Sequence, residues 1–94
     1  MIQIATLETD KAERLMKALC NHFARKITAR YEGNKGYIKF GDGQCEITTT
    51  SNKLKFQIEA DNADGLDHVK QAVKKHLLRF TSGEDIQFDW EDPS

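Results

Sequence analysis

Apolar residues between positions 10 and 27 recur at the spacing of one helix face. They are Ala12, Leu15, Met16, Leu19, Cys20, Phe23 and Ile27. Asp10 and Glu13 have the form of a capping box, in which both side chains accept hydrogen bonds from backbone N–H groups at the start of a helix. Arg25 and Lys26 lie near the C-terminal end, where the helix dipole favours positive charge. The pattern therefore predicts one long amphipathic helix over residues 10–27.

Strands are predicted on both sides of this helix. A short strand is expected near the N-terminus, where Ile2 and Ile4 alternate with Gln3 and Ala5. Four more strands follow the helix, at residues 28–32, 37–40, 45–49 and 54–60, with turns rich in glycine and asparagine between them. Across the three turns we expect Glu32 to face Tyr37, Phe40 to face Cys45, and Thr49 to face Leu54. This register puts the apolar residues on one face of an antiparallel sheet and the polar residues on the other.

A second helix is predicted over about residues 65–80, after a group of possible N-cap residues at 61–64. Its apolar stripe consists of Leu66, Val69, Val73, Leu77 and Phe80, with His76 at the edge. Alternating Ile86, Phe88 and Trp90 predict a last strand. The order β-α-β-β-β-β-α-β favours a single α+β domain over residues 1–94, a two-layer sandwich with both helices on one face of a mostly antiparallel sheet.

Composition and charge exclude several classes of function. The 94 residues carry a formal net charge of −1, so we expect no nucleic-acid or membrane partner. The N-terminus lacks the pattern of a signal peptide, and no apolar segment approaches the roughly 20 residues that span a bilayer. We therefore expect a cytoplasmic protein with reduced thiols. No nucleophile with a base at motif spacing and no glycine-rich phosphate loop before a helix is present, which argues against an enzyme.

The two cysteines are predicted to be core thiols. Cys20 falls on the buried helix stripe and Cys45 on the inner face of the sheet. A disulfide between them is conceivable but requires an oxidising compartment. Cys20 and His22 point about 160° apart around a helix, so they cannot bind one metal ion together.

His22 and His76 are the main candidates for a binding site. Each is expected at the border of its helix's apolar stripe, so helices packed side by side would bring the two histidines together. Lys26 lies four residues after His22, and Arg79 lies three residues after His76. Such a pocket would suit an anion or, with both histidines neutral, a weakly held metal ion. The alternative is a pair of boundary histidines that bond only to backbone or water.

The sequence also resembles a known bacterial family. The pattern that carries the resemblance is Leu19-Cys20-x-His22-Phe23-x-x-Lys26, Gly36-x-Ile38-x-Phe40, Cys45, His76-Leu77-x-Arg79-Phe80 and Trp90. It covers nearly the whole chain and resembles domain of unknown function family 2218. That family often has a second histidine directly before the lysine, where this chain has Arg25.

The resemblance nominates His22, Lys26, Cys45, His76 and Arg79 as site residues, with Cys45 joining His22 and His76 as a candidate metal ligand. It also implies a link to iron handling, because members of the family look to be associated with siderophore-interacting proteins. The resulting hypothesis is a small non-enzymatic binding or accessory module, with siderophore-interacting proteins as candidate partners. The alternative is a structural interaction domain that forms a homodimer through a helix face or sheet edge.

Overall fold

The computed structural model describes residues 1–80 and 90–92. Within them the chain forms five strands and two helices, in the order β1 (Ile2–Glu8), α1 (Ala12–Phe23), β2 (Thr28–Glu32), β3 (Lys35–Phe40), β4 (Gly43–Thr49), β5 (Lys53–Ala60) and α2 (Ala63–Phe80). The strands form one antiparallel sheet in the order β1-β5-β4-β3-β2. The predicted α+β class, antiparallel sheet and two helices are confirmed.

The predicted last strand falls mostly outside the described residues, since 81–89 are not among them. At its end, Glu91 forms an antiparallel bridge with Ile4 through two backbone hydrogen bonds of 2.8 Å. This bridge lies on the side of β1 that faces away from β5. Trp90 packs against the core, with its ring centre 6.3 Å from that of Phe56.

The first two hairpins have shorter loops than the predicted pairing implied. Glu32 pairs with Lys35 instead of Tyr37, and Phe40 pairs with Gly43 instead of Cys45. Each loop therefore contains two residues, 33–34 and 41–42. Both errors shift the pairing by two residues, so every side chain stays on its expected face. The third predicted pairing is correct, with Thr49 opposite Leu54.

The N-terminal strand turns Ala5 and Leu7 towards the core, while Ile2 and Ile4 are only half-buried. Ala5 pairs with Phe56, and Leu7 pairs with Leu54. The partner strand thus determines which face of β1 is buried, because both faces of β1 carry apolar residues.

The first helix is shorter than predicted. It begins at Ala12, its N-cap position is Lys11, and no side chain caps it, so the predicted Asp10–Glu13 capping box is wrong. The hydroxyl of Thr9 instead accepts a hydrogen bond from the Lys11 N–H. The helix ends at Phe23, and residues 24–26 form a turn that directs the chain into β2.

The second helix begins at Ala63, two residues before the predicted start, and is capped from within the expected group, because the Asn62 side chain accepts a 2.8 Å hydrogen bond from the Gly65 N–H. Both helices cover the same face of the sheet and approach it closely at glycines. A Cβ on Gly36 would lie 3.0 Å from the Cys20 sulfur, and one on Gly43 would lie 2.8 Å from Val69. The core between the layers is made mainly of Met16, Leu19, Cys20, Ile38, Cys45, Ile47, Leu54, Phe56, Ile58, Val69, Val73 and Leu77.

Candidate functional site

The packing of α1 against α2 brings His22 and His76 together. Their ring centres are 4.7 Å apart and their planes are inclined by 47°. The ring centre of Phe23 lies 4.6 Å from that of His76, and the ring centre of Phe80 lies 5.8 Å from that of His22. We call these four residues, His22, Phe23, His76 and Phe80, the histidine seam. The two histidines therefore meet between the helices, as expected from the sequence.

The tautomer of His76 follows from its hydrogen bond. Its Nδ1 atom lies 2.7 Å from the backbone oxygen of Ala72. A carbonyl oxygen can only accept, so Nδ1 must carry the proton and donate it. In the neutral ring Nε2 then keeps its lone pair. Metal-bound histidines commonly show this arrangement, in which a backbone carbonyl fixes the ring that binds through the other nitrogen.

His22 is favoured in its neutral form. Partial burial lowers the pKa of His22 below its usual value, and the positive charges of His76, Arg79, Arg25 and Lys26 lower it further. These effects favour the neutral His22 ring, in which one nitrogen keeps its lone pair. Sequence spacing predicted the position of this ring, whereas its pKa depends on groups from α2 and from the turn after α1.

Three cations, Arg25, Lys26 and Arg79, act electrostatically on His22, and we call them the cationic rim. All three are exposed. Lys26 was expected on the same helical row as His22, but it lies in the turn after the helix. Its charge nevertheless acts on His22. The cations bring positive charge to a site where α1 and α2 both end.

The C-terminal ends of α1 and α2 lie near the histidine seam, so the dipoles of both helices act there. His22 is the penultimate residue of α1 and contacts both His76 and Phe80 in the last turns of α2. Both helices therefore direct the negative ends of their dipoles to this region, which favours positive charge by up to about 1 kcal/mol for each helix. This also gives the cationic rim a structural role, independent of any ligand.

Cys45 does not share this environment. It is buried in β4, and its Sγ lies 3.9 Å from the backbone oxygen of Glu46. Burial raises the pKa of Cys45 far above its usual value, so the thiol stays protonated. Over residues 1–80 and 90–92, no group of three or more His, Cys, Asp or Glu residues is arranged to hold a metal ion.

The third histidine forms a separate interaction that the sequence pattern did not predict. His68 in α2 places Nδ1 2.9 Å from both carboxylate oxygens of Asp42 in the β3–β4 loop. Both side chains are substantially exposed. Because this pair lies away from the seam, His68 offers an internal control for experiments on His22 and His76.

Comparisons with known proteins support the fold. The family described as "Uncharacterized protein conserved in bacteria (DUF2218)" matches residues 4–91. The NMR structure of PA4090 from Pseudomonas aeruginosa is similar with a TM-score of 0.82 and 26% sequence identity, over 96% of this chain and 94% of that one. No curated protein matches. Among the described helices, none has the length and apolar character needed to cross a bilayer.

Proposed function

We propose a ligand-binding function for this chain, which belongs to the DUF2218 family of uncharacterized bacterial proteins. The proposed ligand is a metal ion that carries its own anionic chelator, and the site is the histidine seam. The observation that carries the proposal is the pair of adjacent imidazoles, with ring centres 4.7 Å apart, of which His76 has its Nδ1 occupied by a backbone carbonyl.

Two neutral imidazoles at this spacing can share a metal ion. A metal about 2.1 Å from an imidazole nitrogen lies about 3 Å from the centre of that ring. Two rings bound to one ion can therefore have centres up to about 6 Å apart, and the separation of His22 and His76 falls within that limit. Imidazole suits zinc, copper, nickel and iron, and the helix C-termini favour a cation.

Two protein nitrogens leave the coordination shell incomplete. No third His, Cys, Asp or Glu ligand joins the pair within the described residues. A bound metal must therefore take its remaining ligands from water or from a small molecule. The cationic rim of Arg25, Lys26 and Arg79 would repel a bare cation but attract a chelator that bears carboxylates or other anionic oxygens.

An iron chelate fits this chemical description. Siderophores hold iron through anionic oxygens, and the family resemblance implies siderophore-interacting proteins as partners. We therefore propose a non-enzymatic accessory module that binds such a complex, with iron metabolism as its context. Support comes from the pair of imidazole donors and from the positive charge around it.

Titration of the purified protein with ferric citrate, Zn²⁺ and citrate alone tests this function. Isothermal titration calorimetry and the imidazole NMR signals would report binding. His22→Ala and His76→Ala should each weaken binding of ferric citrate and of Zn²⁺ by at least about tenfold. His68→Ala is the matched control and should bind as the wild type does.

Variants of the cationic rim distinguish binding of the metal ion from binding of its chelator. Lys26→Gln and Arg79→Gln should weaken the binding of ferric citrate but leave that of Zn²⁺ unchanged or tighter, because they remove positive charge. If citrate alone binds as tightly as the iron complex, the ligand is an anion and the metal part of the proposal is wrong. Stoichiometric binding that survives in the His22→Ala, His76→Ala double variant would place the site elsewhere.

A further inference from the structure

Strand β2 (Thr28–Glu32) lies at one edge of the sheet and pairs on one side only, with β3, as far as the chain is described. The other edge differs, because Glu91 bridges to Ile4 of β1 there. A free edge displays unpaired backbone N–H and C=O groups, and proteins commonly protect it with lysine or proline. β2 contains neither residue.

The backbone groups that face the open edge can be identified from the tight hairpin. Because only two residues separate Glu32 from Lys35, these two form a hydrogen-bonded pair. The oxygen of Asn34, the loop residue directly before β3, accepts a hydrogen bond from the Thr49 N–H of β4, which fixes the same alternation. Arg30 therefore also points its backbone groups towards β3. The N–H and C=O groups of Ala29 and Tyr31 point to the open edge.

We propose that β2 pairs antiparallel with β2 of a second copy of this chain, about a two-fold axis at Tyr31. In this register Tyr31 faces Tyr31 of the second copy, and the two residues exchange both of their edge-facing hydrogen bonds. Arg30 then lies opposite Glu32 of the second copy, on the outer face of the sheet, and symmetry repeats the pair. The dimer extends the sheet from five strands to ten.

Electrostatic repulsion disfavours the adjacent register, in which the two-fold axis is shifted by one residue. A shift of the axis to Arg30 would put two guanidinium groups directly opposite each other, which is destabilising. The register at Tyr31 instead makes two Arg–Glu pairs. Neither Arg30 nor Glu32 takes part in an ion pair within the described part of the chain. The side chain of Tyr31 is 38% exposed, with Lys17 5.8 Å from its ring centre, so it has apolar surface left to bury.

Charge reversal tests the register. Arg30→Glu gives a strand with two acidic positions, and Glu32→Arg gives one with two basic positions. Each variant alone should dimerise at least about tenfold more weakly than the wild type, because two attractive pairs become repulsive. An equimolar mixture of the two variants should restore a dimer, since both acidic positions of one chain then lie opposite basic positions of the other. Sedimentation equilibrium at several concentrations would measure dimerisation of each variant and of their mixture.

Proline tests the backbone contact. Tyr31→Pro removes the N–H that faces the open edge, while the hydrogen bonds between β2 and β3 use other residues. The variant should fold, as judged by its circular dichroism and NMR spectra, but stay monomeric. Tyr31→Phe keeps the N–H and should dimerise. A wild-type chain that is monomeric up to about 1 mM, which corresponds to an association free energy weaker than about 4 kcal/mol, would overturn the proposal. So would a Tyr31→Pro dimer or a mixture of charge variants that stays monomeric.

Discussion

The close approach of α2 to the sheet predicts a large cost for the substitution Gly43→Ala. Gly43 begins β4 and turns its Cα hydrogen towards α2. A Cβ at this position would lie 2.6 Å from the backbone oxygen of Glu59, 2.8 Å from Val69 and 3.2 Å from Ala60. The oxygen belongs to the adjacent strand, so it cannot rotate away as a flexible side chain would. Either β4 must move within the sheet or α2 must lift.

The magnitude follows from two opposing effects. Overpacking of this kind costs about 1–3 kcal/mol, and the backbone contact puts Gly43→Ala at the upper end. Replacing glycine by alanine also restricts the unfolded chain, which stabilises the fold by about 0.4–1 kcal/mol. The net loss is therefore about 2 kcal/mol, which lowers the melting temperature of a domain of this size by about 10 °C. Because native domains typically have about 5–15 kcal/mol of stability, the Gly43→Ala variant should still fold.

Gly41 in the same hairpin provides the matched control. A Cβ there has no atom within 4 Å, and among the described glycines only Gly33 has a positive φ, of 58°. Gly41→Ala should therefore leave stability unchanged or raise it by about 0.5 kcal/mol. Urea and thermal unfolding followed by circular dichroism would compare both variants with the wild type. If the unfolding free energies of Gly43→Ala and Gly41→Ala agree within about 0.5 kcal/mol, the steric argument is refuted.

Three further predictions concern the seam, a helix cap and the thiols. Since the pKa of His22 is lowered on folding, the unfolded chain binds more protons at this residue below about pH 6.5, and stability falls as the pH falls. His22→Asn should flatten this slope in urea unfolding between about pH 7 and 5, and an unchanged slope would contradict it. Asn62→Ala removes the hydrogen bond to the Gly65 N–H and should cost about 1 kcal/mol in the same assay, whereas no loss would show that the cap contributes nothing. Burial raises the pKa of both Cys20 and Cys45, so a thiol reagent should react slowly with the native protein and rapidly in urea. Equal rates would contradict the burial.

The sheet shows which features a sequence pattern can predict. The expected pairing of Glu32 with Tyr37 was wrong by two residues, yet the apolar residues of β2 to β5 were assigned to the correct face. Alternation has a period of two, so it determines the face of a residue but not the length of the turn. Turn length depends on local backbone geometry, such as the positive φ of Gly33. In β1, where both faces carry apolar residues, even the buried face depends on the partner strand.

The start of α1 shows how tertiary contacts override a local motif. Asp10 and Glu13 satisfy the spacing of a capping box, but the Thr9 N–H donates to the backbone oxygen of Asn52 at 2.9 Å. That bond holds Thr9 against the β4–β5 turn. The Thr9 hydroxyl then accepts from the Lys11 N–H, and the helix begins later than the motif predicts. Asn52 is more than forty positions away in the sequence, so no local pattern contains this information.

The candidate site depends on the fold in a similar way. Helical spacing was sufficient to put His22 and His76 at the border of their apolar stripes. Their separation, however, is determined by how deeply each helix lies on the sheet. Because Gly36 has no side chain, Met16 and Cys20 of α1 pack closely against it. Val69 of α2 packs against Gly43 in the same way.

These two glycines therefore act on the site without touching it. A side chain at Gly36 or Gly43 would lift one helix relative to the other and change the distance between the two imidazoles. Two rings with centres 4.7 Å apart can share a ligand about 3 Å from each centre. That capacity is lost if the rings move a few ångströms apart. The glycines that let the helices pack closely on the sheet thus also maintain the geometry of the histidine seam.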